Sequence, residues 1–184
     1  IAPILMNVEW PPFNIPFLYS SISSKVKTTL CPETIFITID GFGGGILILG
    51  ERNSGKSFFS NQLIKEMDVK GESYSINPPY TGSVKVEDLL RSFQSATEIQ
   101  GSFAKIFSDI PPNSVFFMDD LELWWEKSPH GMTVVDQLMS IINRFGQQHL
   151  FVVISNIHSF RLINKFRKIE SNFLGLVELL PFNA

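Results

Sequence analysis

The sequence predicts an α/β fold, a three-layer sandwich on a mostly parallel sheet of about five strands. Three observations carry that reading. Short apolar runs alternate along the chain with stretches of helical periodicity. The runs are apolar throughout rather than alternating with polar residues, as strands buried on both faces must be. One of them, Ile46–Leu49, leads directly into Gly50-Glu51-Arg52-Asn53-Ser54-Gly55-Lys56-Ser57, and a helix-like stretch, Phe58 to Met67, follows. That is the pattern G-x-x-x-x-G-K-S in its strand–loop–helix setting.

The elements follow in order. Residues 1–34 form a proline-rich, irregular segment, broken at Pro3, Pro11, Pro12, Pro16 and Pro32. Its interleaved apolar residues (Leu5, Trp10, Phe13, Phe17) predict packing on the core. The domain proper is expected over 35–184. It starts with an N-terminal strand, Thr34–Ile39, joined as a hairpin to the next strand through Asp40–Gly45, where Asp-Gly is a turn signal. After the loop helix, Tyr74–Ile76 reads as a short strand ending at Asn77-Pro78-Pro79. Helical periodicity covers Val86–Phe93 and Ile99–Phe107. Val115–Met118 is a buried strand closed by Asp119-Asp120. A loop with Pro129 and Gly131 leads to an amphipathic helix, Thr133–Phe145. Leu150–Ile154 is a further buried strand ending at Ser155-Asn156. A short helix, Phe160–Phe166, and a last strand, Leu174–Leu180, complete the set.

Composition narrows the class. At 184 residues, 44% hydrophobic and 18% charged, the chain reads as one soluble globular domain. A net charge of −3 gives no strong nucleic-acid signal and no attraction to anionic membranes. No apolar stretch approaches the length of a membrane span. The single Cys31 excludes an intrachain disulfide framework and predicts a cytoplasmic setting. The start at Ile1 lacks a signal-peptide layout.

The chemistry is read from three places. In the loop, backbone N–H groups turn inward toward a phosphate, and Gly50 and Gly55 allow the close approach. The helix opening at Lys56 adds its positive dipole end. Lys56 is expected on the β- and γ-phosphates, and the Ser57 hydroxyl on Mg²⁺. Arg52, inside the loop, is expected to point outward. At the carboxyl end of its strand, Asp119 is placed to hold Mg²⁺, and Asp120 to orient an attacking water, with Glu122 as the alternative base. Asn156, ending the next strand, offers an amide to a γ-phosphate or to that water. Trp124 and Trp125 read as one core residue and one interface anchor. His130, His149 and His158 have no metal-ligand spacing and are expected at the surface or at strand ends. Tyr80-Thr81-Gly82 reads as a turn.

Gly50–Ser57, Phe116–Asp120 and Ile154–Asn156 resemble Walker A, Walker B and sensor 1 of AAA+ ATPases, over Ile46 to about Phe182. The resemblance implies ATP and Mg²⁺ as cofactors. It implies sheet order 5-1-4-3-2, counted from the phosphate-loop strand. It further implies Asp119 on magnesium, Asp120 as catalytic acid, Asn156 as sensor 1, and an arginine supplied to a neighbouring subunit. Arg161 and Arg167 lie in the region for that arginine, and Arg167 is preferred. The function expected is Mg²⁺-dependent ATP hydrolysis driving a conformational change in a homo-oligomer or an unidentified protein client. The chain departs from the family in having Asp-Asp where Asp-Glu is usual, which sets the carboxylate further from the water. It also ends at Ala184, before the family's helical lid. The alternative is a nucleotide-gated signalling or scaffold module of the STAND type with little turnover, which Asp-Asp suits. A GTPase reading fails because Asn164-Lys165-Phe166-Arg167 lacks the aspartate of Asn-Lys-x-Asp.

Overall fold

The computed structural model describes residues 26–28, 44–66, 71–79, 84–126 and 131–179. The strands are β1 (Val26–Thr28), β2 (Gly44–Gly50), β3 (Ser73–Ile76), β4 (Val115–Met118), β5 (Leu150–Asn156) and β6 (Gly175–Leu179). The helices are α1 (Lys56–Glu66), α2 (Val86–Thr97), α3 (Phe103–Asp109), α4 (Thr133–Phe145) and α5 (Ile157–Arg167). Two single-turn 3-10 segments, Leu121–Trp124 and Ile169–Asn172, follow β4 and α5.

The sheet order is β1-β6-β2-β5-β4-β3. All neighbours are parallel except β1, which runs antiparallel to β6. Counted from β2, the five parallel strands take the expected order 5-1-4-3-2. The chain steps one way across the sheet from β2 to β3 and the other way at every later step. Right-handed crossovers therefore put α1 on one face and α2 to α5 on the other. The packing agrees. On the first face, Phe59 of α1 packs against a cluster that includes Ile46, Ile48, Phe117, Val152 and Ile154. The second face buries Leu47, Leu49, Phe116, Phe151 and Val153 under Leu89, Phe93, Phe107, Leu138, Ile142, Phe160 and Ile163. Side chains alternate between faces along each strand, and both faces are covered, so the strands read as unbroken apolar runs.

Aromatic rings tie the second face together. Phe116 stacks on Tyr74 at 5.2 Å and on Phe151 at 5.1 Å, while Phe107 meets it edge-on at 5.2 Å. Phe107 also stacks on Phe145 of α4 at 4.2 Å.

Local chemistry sets the helix ends. The backbone of Glu98 turns left-handed (φ 58°) and closes α2, so the helical pattern read from Ile99 begins only after Ser102, whose hydroxyl accepts from Lys105 N. Asn156 Oδ1 accepts from His158 N at 2.9 Å and starts α5 three residues before the expected Phe160. Lys168 (φ 48°) ends it.

Other expectations are corrected. Residues 26–28, within the segment read as irregular, form an edge strand. That strand pairs with β6, and both sides of β2 are taken by β5 and β6. Thr34–Ile39 and its hairpin turn as far as Gly43 lie outside the described residues, as do Cys31, Tyr80-Thr81-Gly82 and His130. Trp124 and Trp125 are both buried, so neither is a surface anchor. His149 does precede β5 directly, but it is buried against Phe107 and Phe116.

Burial pushes the His149 imidazole below its ordinary 6.5, with the Phe107 backbone pulling part of the way back. Below pH 6.5 the unfolded chain takes up a proton that the folded chain resists. Folding stability therefore falls as the pH drops through that value, and it is fully present above it. Urea unfolding at pH 7.5 and 5.5 checks this: the midpoint should drop on acidification, and by less in His149→Leu.

Candidate functional site

The site lies where β2, β4 and β5 end on one edge of the sheet, at the crevice that open parallel sheets leave beyond their carboxyl ends. The register fixes its layout. Gly50 is the direct partner of Asn156, and Met118 of Val153. The phosphate loop, the acidic pair and Asn156 therefore leave the sheet side by side.

Backbone geometry shapes the loop. Asn53 (φ 64°) and Gly55 (φ 85°) take the left-handed conformation that asparagine and glycine tolerate best. A side chain at Gly50 would collide with Ser54 Oγ and lie 3.2 Å from the Leu179 carbonyl, so only glycine fits there. Lys56 Nζ donates to the carbonyls of Glu51 (2.8 Å) and Gly50 (3.2 Å), which holds its charge over the mouth of the loop. Ser57 follows it on the first turn of α1.

Across the crevice, Ser57 Oγ donates to Asp119 Oδ2 at 3.4 Å. The other oxygen, Oδ1, accepts the Asp120 N–H at 2.8 Å. Asp120 has a left-handed backbone (φ 52°, ψ 54°), a conformation costly for a non-glycine residue and one that turns the chain sharply after β4. Burial raises the Asp120 carboxyl above the ordinary carboxylate range, and the negative charges of Asp119 and Glu122 push the same way. Lys56 opposes them.

A cavity of about 320 Å³ opens here, lined by Arg52, Lys56, Asp120, Glu122, Leu123 and Asn156. Arg52, exposed in the loop, is among the residues at the edge of this cavity. Glu122 is anchored from the neighbouring strand. Its Oε2 accepts from Ser155 Oγ at 2.9 Å and from the Asn156 N–H at 3.1 Å. Ser155 is a contributor the sequence did not flag, since a serine near a strand end carries no pattern of its own.

Lys56, Ser57, Asp119, Asp120 and Asn156 are brought together. A hydroxyl facing a carboxylate is the hard oxygen set that suits Mg²⁺. Arg167 is not part of the cluster. It ends α5, about 16 Å along the helix from Asn156. Its Nε donates to both Asp136 carboxylate oxygens, at 3.1 and 3.2 Å. Asp136, Ser140, Asn143 and Arg144 of α4 line an open groove with it. Arg161, exposed midway along α5, makes no part of the cavity lining. His158 lies 3.9 Å from Glu51, and no cluster of three or more metal-ligating His, Cys, Asp or Glu occurs among the described residues. Nor is any helix there long and apolar enough to cross a membrane.

Among solved structures, the chain is similar to the ATPase EscN of the enteropathogenic E. coli type III secretion system, solved assembled with its central stalk EscO. Identity is 14% over 77% of this chain and 44% of that one, with TM-score 0.52. It is also similar to a Walker-type ATPase of Pyrococcus abyssi (14% identity, 76% and 49% of the two chains, TM-score 0.48). A third similar structure is a protein of Pyrococcus horikoshii OT3 (9% identity, 81% and 88%, TM-score 0.48). The chain spans about half the length of the first two. A search of curated proteins gave no match. The family model for the ATPase family associated with various cellular activities (AAA) matches residues 46–174, a span that begins in β2 and takes in the phosphate loop, the acidic pair and Asn156. With more than half of its length matched, the chain belongs to the AAA family of ATPases.

Proposed function

We propose that this domain binds ATP with Mg²⁺ in the cavity beside the phosphate loop and hydrolyses it, and that it does so as part of an oligomer. The observation that supports the reading best is the approach of Ser57 Oγ to Asp119 Oδ2 at 3.4 Å. Folding brings the two together across 62 positions of sequence, in the pairing a phosphate-bound magnesium needs. When bound, Mg²⁺ neutralises charge on the phosphate oxygens. The residues 50–57 cradle the phosphates through their N–H groups, and Lys56 exchanges its two carbonyl partners for phosphate oxygens. Ser57 and Asp119 hold the cation. Asp120, with its carboxyl raised by burial and by neighbouring charge, is suited to take a proton from water. Asn156 offers an amide donor from the opposite wall.

Arg167 supplies positive charge to a neighbouring subunit in this reading. The length of α5 separates it from its own cavity, and Asp136 holds it at the edge of an open groove. EscN is an assembled ATPase, and the shared fold makes an assembly a reasonable setting for this chain. The competing reading, a nucleotide-gated module with little turnover, rests on the short Asp120 side chain. Steady-state phosphate release separates the two.

Three outcomes test the reading in the full-length protein. Lys56→Ala should weaken ATP–Mg²⁺ binding more than about tenfold by calorimetry, since a charged phosphate contact is lost. Asp119→Asn should lower metal-dependent binding and turnover together, whereas Asp120→Asn should spare binding and reduce turnover by roughly a hundredfold or more. Specific activity should rise with protein concentration. Mixing Arg167→Ala with Lys56→Ala subunits should restore part of it, and turnover independent of concentration and of Arg167 would exclude the shared site.

A further inference from the structure

Glu122 stands three residues beyond Asp119, in the 3-10 turn that follows β4. One of its oxygens, Oε2, takes both hydrogen bonds that reach it from the end of β5, those of Ser155 Oγ and the Asn156 backbone. Ser155 is buried, so its hydroxyl depends on protein partners. Asn156 is thereby held at two points. Glu122 takes its backbone N–H, and its side-chain Oδ1 is committed to His158 N as the cap of α5. The amide Nδ2 is what remains for a ligand. Asn156 lines the cavity with Lys56 and Asp120, and its strand partner is Gly50, the first residue of the phosphate loop.

We propose, on the strength of the ATP-site reading above, that Glu122 is a positioning residue whose carboxylate fixes the end of β5 so that Asn156 Nδ2 meets the terminal phosphate. Ser155 shares the task by holding the same oxygen. A hydrogen bond to an ionised acceptor is stronger than one between neutral groups, so a carboxylate is a firm anchor for a strand end. The anchor matters because a donor aids phosphate chemistry only when its direction is set before the charge develops. Position separates Glu122 from Asp120. Asp120 stands beside Asp119 at the cavity, whereas Glu122 reaches across to the neighbouring strand.

The test uses the full-length protein with ATP–Mg²⁺. Glu122→Gln keeps an oxygen where Oε2 stands, and Glu122→Ala removes it. Glu122→Ala should lower kcat by roughly tenfold to a hundredfold, with the ATP affinity and the KM near the parent's and the melting temperature lower by about a few degrees, because two donors lose their acceptor. Glu122→Gln should stay within about threefold of the parent. Ser155→Ala, a milder change, should lower kcat less, and Ser155→Thr should restore it. Adding Asn156→Ala to Glu122→Ala should cost little more than either alone, because one donor is lost in each case. Hydrogen exchange gives a readout independent of turnover: the Asn156 amide should exchange faster in Glu122→Ala but not in Glu122→Gln.

Glu122→Gln as inactive as Glu122→Ala would overturn the proposal and make Glu122 the group that acts on water. Parental kcat in Glu122→Ala, unchanged exchange at Asn156, or full additivity with Asn156→Ala would overturn it too. So would a parent protein that binds ATP–Mg²⁺ without hydrolysing it, and nucleotide binding itself would then stand. A parent protein that binds no ATP–Mg²⁺ would overturn the nucleotide reading and the proposal with it.

Discussion

The pairing of Gly50 with Asn156 across β2 and β5 is the constraint on which the site depends. In a parallel sheet the strands end together, so the chain must leave each of them at the same edge. A slip of one residue in that register would send Leu47 and Leu49 to the face of α1 and Ile46 and Ile48 to the other, at the cost of both cores. The apolar strands therefore hold the phosphate loop and Asn156 in place without any direct bond between their side chains. The acidic pair is fixed in the same way, because β4 lies against β5 from Val115 to Met118.

What keeps that register is the packing on both faces. The second face carries four helices and a chain of aromatic contacts running from Tyr74 through Phe116 to Phe151. Phe107 bridges that chain to α4 by its stack with Phe145. Ring pairs of this kind add to simple area burial and are geometrically selective. On the first face lies α1, whose Phe59 packs against the sheet core. The strands that carry Asp119 and Asn156 are clamped under the second face.

Much of this was legible in the sequence. Thr133–Phe145 matched its helix residue for residue because its helical period is clear, and Val115–Met118 its strand because the apolar run is bounded by Pro111-Pro112-Asn113 and Asp119-Asp120. The phosphate loop was legible because its residue types follow from backbone geometry. Other features depend on tertiary context that no local pattern encodes. The helical pattern of Ile99–Phe107 continues through Gly101, where the backbone in fact breaks (φ 129°). That Arg52 borders the cavity depends on the fold of the loop around it. Val26–Thr28 is too short for periodicity, and its strand character comes from its partner β6. Glu122 could be named as an alternative base, but its tie to Ser155 depends on two strands being neighbours.

The pairing of Val26–Thr28 with β6 has a consequence for solubility. Without it, β6 would present a row of unpaired N–H and C=O groups from Gly175 to Leu179, and such an edge is a template for another chain. Among the described residues, Val26–Thr28 covers Val177–Leu179 of that edge. At the opposite margin, β3 has only four residues, so it offers little to join. A shortened chain starting after Thr28 would keep every group that lines the cavity and still tend to aggregate, edge against edge.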